Sequence, residues 1–365
     1  MIPCNDSKRL YLKYKDEFEG AALKVLRSGW YVLGENVKAF EKEFASSIGS
    51  KYCVGVDNGT NAIKIGFQAL DIGVGDEVLV QANTYIATVL GITANGATPI
   101  FVEPNEFFNM DENDIENRIT ENTKAIIVTH LYGQATKMDK IVSICRKHNL
   151  FLLEDCAQSH YAEFNNKKVG TFGDLGFFSF YPTKNIGAFG DAGAIVTNNA
   201  DLYNKLMMLR NYGSSIRYNF ELENGSNSRL DEIQAALLLI KIKHAEEITN
   251  EKIKIANEYL SKISNPYVKL PKVCPGCSSV WHLFVLQVQN RETFIKHMED
   301  CGVKTDVHYP IPPYLSKSYK YLGHKHGEYP ITDYLTEHIV DIPIFNGMMD
   351  EEIQTIIKAI NSYEE

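Results

Sequence analysis

The 365-residue sequence contains no apolar run that approaches the length of a membrane span. Its first residues, Met1-Ile2-Pro3-Cys4-Asn5-Asp6, lack the charged-then-apolar form of a signal peptide. Internal repeats and low-complexity tracts are missing too, so neither a repeat array nor a disordered or fibrous chain is expected. Positive charge is in deficit. With 37 Lys and Arg against 46 Asp and Glu, the formal net charge is -9. That balance argues against a broad electrostatic footprint for nucleic acid or an anionic membrane, and leaves room for a local basic pocket that takes one phosphorylated ligand. The 7 cysteines are odd in number and scattered, which argues against a disulfide framework and fits a reducing, cytoplasmic setting. Cys274 and Cys277 have zinc-ribbon spacing, but no second pair follows, and no metal site is expected.

What is present is a globular composition, 44% hydrophobic and 23% charged, which suffices for a full core. Helical spacing runs from Leu12 to Leu26 and again through Val37, Phe40, Phe44 and Ala45. Tyr52–Val56 reads as a buried strand that enters Asp57-Asn58-Gly59-Thr60-Asn61 and then a helix from Ala62 to Leu70. A strand running into a Gly-Thr turn at a helix start suits an anion, because free N–H groups and the helix dipole point the same way. An ordinary capped helix start has the same look. Strands Glu77–Val80, Thr98–Val102, Ala125–Thr129 and Phe151–Asp155 then alternate with helices at about Tyr85–Ala94 and Met138–His148. The alternation predicts a mostly parallel sheet covered by helices on both faces, with ligands beyond the carboxyl ends of the strands. Asp155 lies at one such end, where a simple cap is the alternative role.

The segment Phe177 to Gly193 begins as a β-prone run, breaks at Pro182, offers Lys184, and spends three glycines within seven residues before a strand pattern resumes at Ala194-Ile195-Val196. Apolar neighbours desolvate such an ammonium and lower its pKa, as an amine needs in order to attack a carbonyl. An ordinary loop lysine is the plain alternative. Further on, Ala200–Leu209 and Asp231–Lys243 read as helices flanking a long polar loop, Arg210 to Asn227, and Ala245–Ile263 extends the helical region. After a linker-like stretch from Pro266 to Cys277, a strand Leu283–Val288 and helices Thr293–Met298 and Glu351–Tyr363 are expected. The chain is divided accordingly into a large domain, 1–245, and a smaller one, 246–365.

Four ordered motifs, Asn58-Gly59-Thr60, Asp155-Cys156-Ala157-Gln158-Ser159-His160, Ser179-Phe180-Tyr181-Pro182-Thr183-Lys184-Asn185 and Asn227-Ser228-Arg229-Leu230-Asp231-Glu232-Ile233-Gln234-Ala235-Ala236, resemble the DegT/DnrJ/EryC1/StrS sugar-nucleotide aminotransferases. The resemblance runs from about Asp16 to near the C-terminus. It implies an α/β, fold type I pyridoxal-phosphate transferase of the aspartate aminotransferase kind: a mostly parallel central sheet sandwiched by helices, and a smaller C-terminal α+β domain. It also implies roles. Lys184 is similar to the Schiff-base lysine and proton carrier, and Asp155 to the partner of the pyridinium nitrogen. Gln158 resembles the residue bonded to the ring's phenolic oxygen, and Tyr85 the stacking aromatic. Gly59, Thr60 and Ser179 match phosphate-cradling positions, and Asn227 matches a residue given to the neighbouring subunit's phosphate site, which implies a homodimer. Asn58 departs from the usual serine and Glu103 from the usual aspartate.

The implied activity passes an amino group from L-glutamate to a keto-sugar nucleotide. Thr129–Gln134, Tyr181-Pro182 and Val307–Pro313 look like the branch acting at C3 of dTDP-3-keto-6-deoxyhexoses, which makes a dTDP-3-amino-3,6-dideoxyhexose for a surface glycan or a glycosylated metabolite. Tyr181, Arg229, His308 and Tyr309 are the expected substrate contacts. Amination at C4 is the runner-up, since that branch more often has histidine where Tyr181 stands. A dehydrating relative would carry histidine at 184, and a non-catalytic regulatory protein of the same fold would have no need of Asp155, Gln158 and Lys184 together.

Overall fold

The computed structural model describes residues 1–365. Helices α1 (Ser7–Lys13), α2 (Lys15–Ser28) and α3 (Glu35–Ile48) lead into β1 (Tyr52–Val56), α4 (Gly59–Ala69), β2 (Glu77–Gln81), α5 (Ile86–Thr93), β3 (Thr98–Val102), β4 (Thr123–Thr129), α6 (Asp139–His148) and β5 (Phe151–Asp155). A small hairpin, β6 (Glu163–Phe164) and β7 (Lys167–Lys168), precedes β8 (Leu175–Ser179), β9 (Gly193–Thr197) and α7 (Ala200–Leu209). A second hairpin, β10 (Ser214–Ile216) and β11 (Asn219–Phe220), is followed by α8 (Glu232–Lys243) and α9 (Ala245–Lys262). The chain finishes with β12 (Val268–Lys269), β13 (Phe284–Val288), α10 (Arg291–Asp300), α11 (Pro330–His338), β14 (Ile339–Ile342) and α12 (Asp350–Asn361).

Seven strands form the main sheet in the order β1-β9-β8-β5-β4-β2-β3. The pairings β2/β3, β2/β4, β4/β5 and β5/β8 are parallel, and β9 alone runs against its neighbours β8 and β1. Parallel strands require both faces covered, and each face has its own core. One gathers Phe40, Phe44, Phe178 and Phe180 with α3 and α8, the other Ile65, Phe67, Phe101 and Phe177 with α4 and α5. A separate three-stranded antiparallel sheet, β12-β13-β14, packs against α9, α10 and α12 around Tyr259, Phe284, Phe294 and Ile356.

Local chemistry sets the elements that carry the site. In α3, Val37, Phe40, Phe44 and Ile48 recur at helical spacing and are buried, and Gly49 ends the helix in the left-handed region (φ 85°). The start of α3 is capped from a distance: Glu232 accepts from the backbone N–H groups of Gly34, Asn36 and Val37 at 2.8, 3.0 and 2.8 Å. Helix α4 lies so close to β8 that a Cβ on Gly66 would stand 2.3 Å from Phe177 Cε1. At the start of the same helix, Gly59 lies against Ser179 at the end of β8. Behind β5, the fully buried Glu154 takes N–H groups from Gly170, Phe172 and Gly173 and pairs with His130.

In several places the structure departs from the sequence pattern. The helix expected over Leu12–Leu26 is two helices that break at Tyr14, and α4 begins at Gly59 rather than Ala62. The loop expected over Arg210–Asn227 holds β10 and β11, and Pro330–Ile342 holds a helix and a strand with no counterpart in the sequence reading.

Candidate active site

The C-terminal ends of β1, β2, β4, β5 and β8 converge on a cavity of about 570 Å³. Gly59, Thr60, Tyr85, Asp155, Gln158, Ser179, Tyr181, Lys184, His308 and Tyr309 all line it. Ten of the twelve residues singled out from the sequence are thus brought to one place, although they span some 250 positions of the chain.

Asp155, the last residue of β5, is 5% exposed. Its Oδ2 accepts from Thr88 Oγ1 at 2.7 Å and its Oδ1 from Ala157 N at 3.0 Å. Thr88 belongs to a chain of hydroxyls in which Thr84 bonds both Thr88 and Thr129, at 2.8 and 2.9 Å. Burial raises the Asp155 carboxyl above its ordinary range, while the Thr88 and Ala157 hydrogen bonds and the charge of Lys184 oppose the shift. The result is a buried carboxylate held by donors and aimed into the cavity.

Lys184 lines the same cavity from the turn after β8. Burial lowers its ammonium to about 8, with Asp155 pulling the other way. An amine in that range has a usable neutral fraction near neutral pH, which an ordinary surface lysine lacks.

Gln158 is buried rather than a surface amide: its Oε1 accepts from Tyr132 N at 2.6 Å and its Nε2 donates to Tyr309 OH at 3.0 Å. Tyr85, the residue just before α5, lies against the Tyr309 ring, the two tilted by 30° with centroids 4.8 Å apart. His308 pairs through Nδ1 with the buried Asp341 of β14. Burial disfavours the His308 cation, but the Asp341 carboxylate outweighs burial and raises its pKa above the ordinary imidazole value. Tyr132 OH also donates to the His308 carbonyl, so the loop bearing His308 and Tyr309 is fixed to both sheets.

At the far end, Asn58 Oδ1 accepts from Asn61 N at 2.8 Å and caps α4. A Cβ on Gly59 would come 2.6 Å from Ser179 Cβ, so only glycine allows backbone and serine to meet here. This leaves a helix N-terminus and two hydroxyls, Thr60 and Ser179, facing the cavity.

Asn227 and Arg229 do not reach this cavity. Asn227 is exposed and bridges to Asn211, and Arg229 donates to Asn211 Oδ1 at 3.1 Å and lies over the Tyr212 ring. Glu103 is elsewhere as well, accepting from Ile331 N and Thr332 N at the start of α11. Thr88, Asp191 and His282 went unnoticed in the sequence. Thr88 had a signal, standing one helical turn beyond Tyr85. His282 had none, since it enters from the loop before β13, a hundred residues from Lys184.

Residues 13–361 match the DegT/DnrJ/EryC1/StrS aminotransferase family. Over 364 residues the chain is 47% identical to a dTDP-3-amino-3,6-dideoxy-alpha-D-galactopyranose transaminase of Aneurinibacillus thermoaerophilus, covering 100% of this chain and 99% of the relative. The structure of DesV from S. venezuelae superposes with a TM-score of 0.97 at 38% identity, over 99% of this chain and 97% of DesV. NtdA from Bacillus subtilis, solved with bound cofactor PMP, superposes with a TM-score of 0.90 at 29% identity, over 97% and 83% of the two chains.

Proposed function

The chain belongs to the DegT/DnrJ/EryC1/StrS aminotransferase family, and from that premise we propose that it is a pyridoxal 5'-phosphate enzyme that moves an amino group from L-glutamate to C3 of a dTDP-3-keto-6-deoxyhexose. The product is a dTDP-3-amino-3,6-dideoxyhexose. The observation that carries this reading is the 47% identity, along the whole chain, to a transaminase named for a dTDP-3-amino-3,6-dideoxyhexose.

The residues present fit the cofactor. The Gly59–Ser179 contact that excludes any Cβ, together with the N-terminus of α4, makes a cradle for a phosphate. The buried Asp155 suits a ring nitrogen, Gln158 an oxygen substituent, and Lys184 an aldehyde. When bound, the cofactor supplies an electron sink for the pair left behind as the donor loses its α-proton. Asp155, hydrogen-bonded by Thr88 and Ala157, would hold a proton on the ring nitrogen of the bound cofactor. Lys184 Nζ takes the proton from the α-carbon of glutamate and returns one to C3 of the sugar in the opposite half-reaction. Tyr181, His308 and Tyr309 line the same cavity, where they would orient the sugar and fix which carbonyl faces the lysine. Arg229 and Asn227 serve the site of a second subunit in a homodimer. That assignment is supported by their position outside their own cavity.

No helix is long and apolar enough to cross a membrane, and the seven unpaired cysteines support a cytoplasmic location. The division of labour follows 1–245 for cofactor chemistry and 246–365 for the second sheet and the His308–Tyr309 loop. The holoenzyme is expected to lose its cofactor absorbance when L-glutamate is added and to recover it with 2-oxoglutarate. A preparation that binds the cofactor but shows no response to glutamate contradicts the reading.

A further inference from the structure

The transaminase reading gives no part to Lys252. It projects from α9, is 3% exposed, and donates from Nζ to Asn185 Oδ1 at 3.2 Å and to the His282 carbonyl at 3.0 Å. Asn185 directly follows Lys184, and its Nδ2 donates to the Val280 carbonyl at 2.7 Å. One buried amine therefore ties three segments together: α9, the turn that carries Lys184, and the loop that presents the His282 ring to the cavity. Lys252, Asn185 and Lys184 also share a second, small cavity of about 30 Å³ behind the turn.

A buried lysine ordinarily has a carboxylate partner. The influences on Lys252 are burial first and then the like charge of Lys184, which together lower it to about 7. An apolar side chain would satisfy packing at this position without the desolvation penalty. What the amine adds is two hydrogen bonds and a charge beside the catalytic lysine. Among the groups facing Lys184, Asp155 from β5 favours its cation. The Lys184 cation in turn disfavours the cations of Lys252 from α9, His160 from the turn after β5, His282 from the loop before β13 and His308 from the small-sheet side.

We propose that Lys252 is a positioning residue for the transamination: by fixing Asn185 and the His282 carbonyl it sets the direction in which Lys184 enters the cavity, and in its protonated form it resists a second positive charge there. The inference rests on the transaminase reading and deepens it.

The test compares the wild-type holoenzyme with Lys252→Met, Lys252→Arg and Asn185→Leu, following two signals: the pH titration of the absorbance of the lysine-held cofactor, and kcat and KM for the glutamate half-reaction. Lys252→Met is expected to lower kcat about tenfold with KM changed less than about twofold, and to raise the titration midpoint as the residual Lys252 charge is removed. Lys252→Arg, which keeps charge and donors, recovers most of both. Asn185→Leu, which leaves the Lys252 charge in place, lowers kcat without the full midpoint shift. An unchanged midpoint and kcat in Lys252→Met overturns the proposal, as do equal losses in the Met and Arg variants. If Lys252→Met does not fold, a wild-type kcat in Asn185→Leu overturns it instead. A wild-type enzyme without any glutamate-responsive absorbance would remove the transaminase reading itself, a different result from either.

Discussion

Thr88 Oγ1 donates to Asp155 Oδ2 across 2.7 Å, and both groups are buried. The bond joins the first turn of α5 to the end of β5 and places a neutral donor where a carboxylate must stay ionised. Thr88→Val keeps the shape and deletes the donor. It is expected to raise the Asp155 pKa further and to slow the glutamate half-reaction about tenfold, as the loss of one hydrogen bond to a charged group implies. Stopped-flow absorbance measures this directly, and a wild-type rate would mean the Ala157 N–H suffices.

The low pKa of Lys184 has a consequence for assembly of the holoenzyme. Below about 8 the ammonium form dominates and cannot attack an aldehyde; above it the free amine dominates. The rate at which apoprotein combines with pyridoxal phosphate is therefore expected to climb as pH rises and to level off beyond about 8. A rate already at its plateau near neutral pH, or one still climbing at the pKa of a free lysine, would contradict the assignment.

Glu232 carries three backbone N–H groups of the α3 start. Glu232→Ala leaves them without their charged acceptor in a buried setting and is expected to destabilise the fold by about 3 kcal/mol, with Glu232→Gln losing less. Denaturant titration at constant m-value reads the difference. An Ala variant with an unchanged midpoint would show that water replaces the carboxylate.

Lys184→Ala and Asn227→Ala are each expected to be inactive. If Asn227 serves the partner's site, mixing the two with subunit exchange creates hybrid dimers in which one site carries neither lesion, and about a quarter of wild-type activity returns. Exchange without any recovery places the action of Asn227 within its own chain.

Much of this site was legible because its chemistry is local to strand ends. Asn58-Gly59-Thr60, Tyr85, Asp155 and Lys184 each follow a hydrophobic strand or a turn signal, and β1, β3 and β5 match the expected spans residue for residue. What was hidden depends on distance or direction. Nothing in Gly193–Thr197 says that β9 runs antiparallel, because the apolar run reads the same either way. The break at Tyr14 escapes because the apolar spacing continues across it, and α11 passes directly into β14, His338 being followed at once by Ile339 with neither glycine nor proline at the junction. His282 and Lys252 reach the lysine only through folding of the C-terminal third, and no local pattern marks either residue.

Regiochemistry separates a C3 aminotransferase from a C4 one. Separate incubations of the holoenzyme and L-glutamate with a dTDP-3-keto-6-deoxyhexose and a dTDP-4-keto-6-deoxyhexose, with the amine located by NMR, test it most directly. A product aminated at C3 is expected from the first substrate and none from the second; amination at C4 alone, or of neither sugar, would contradict C3 transamination.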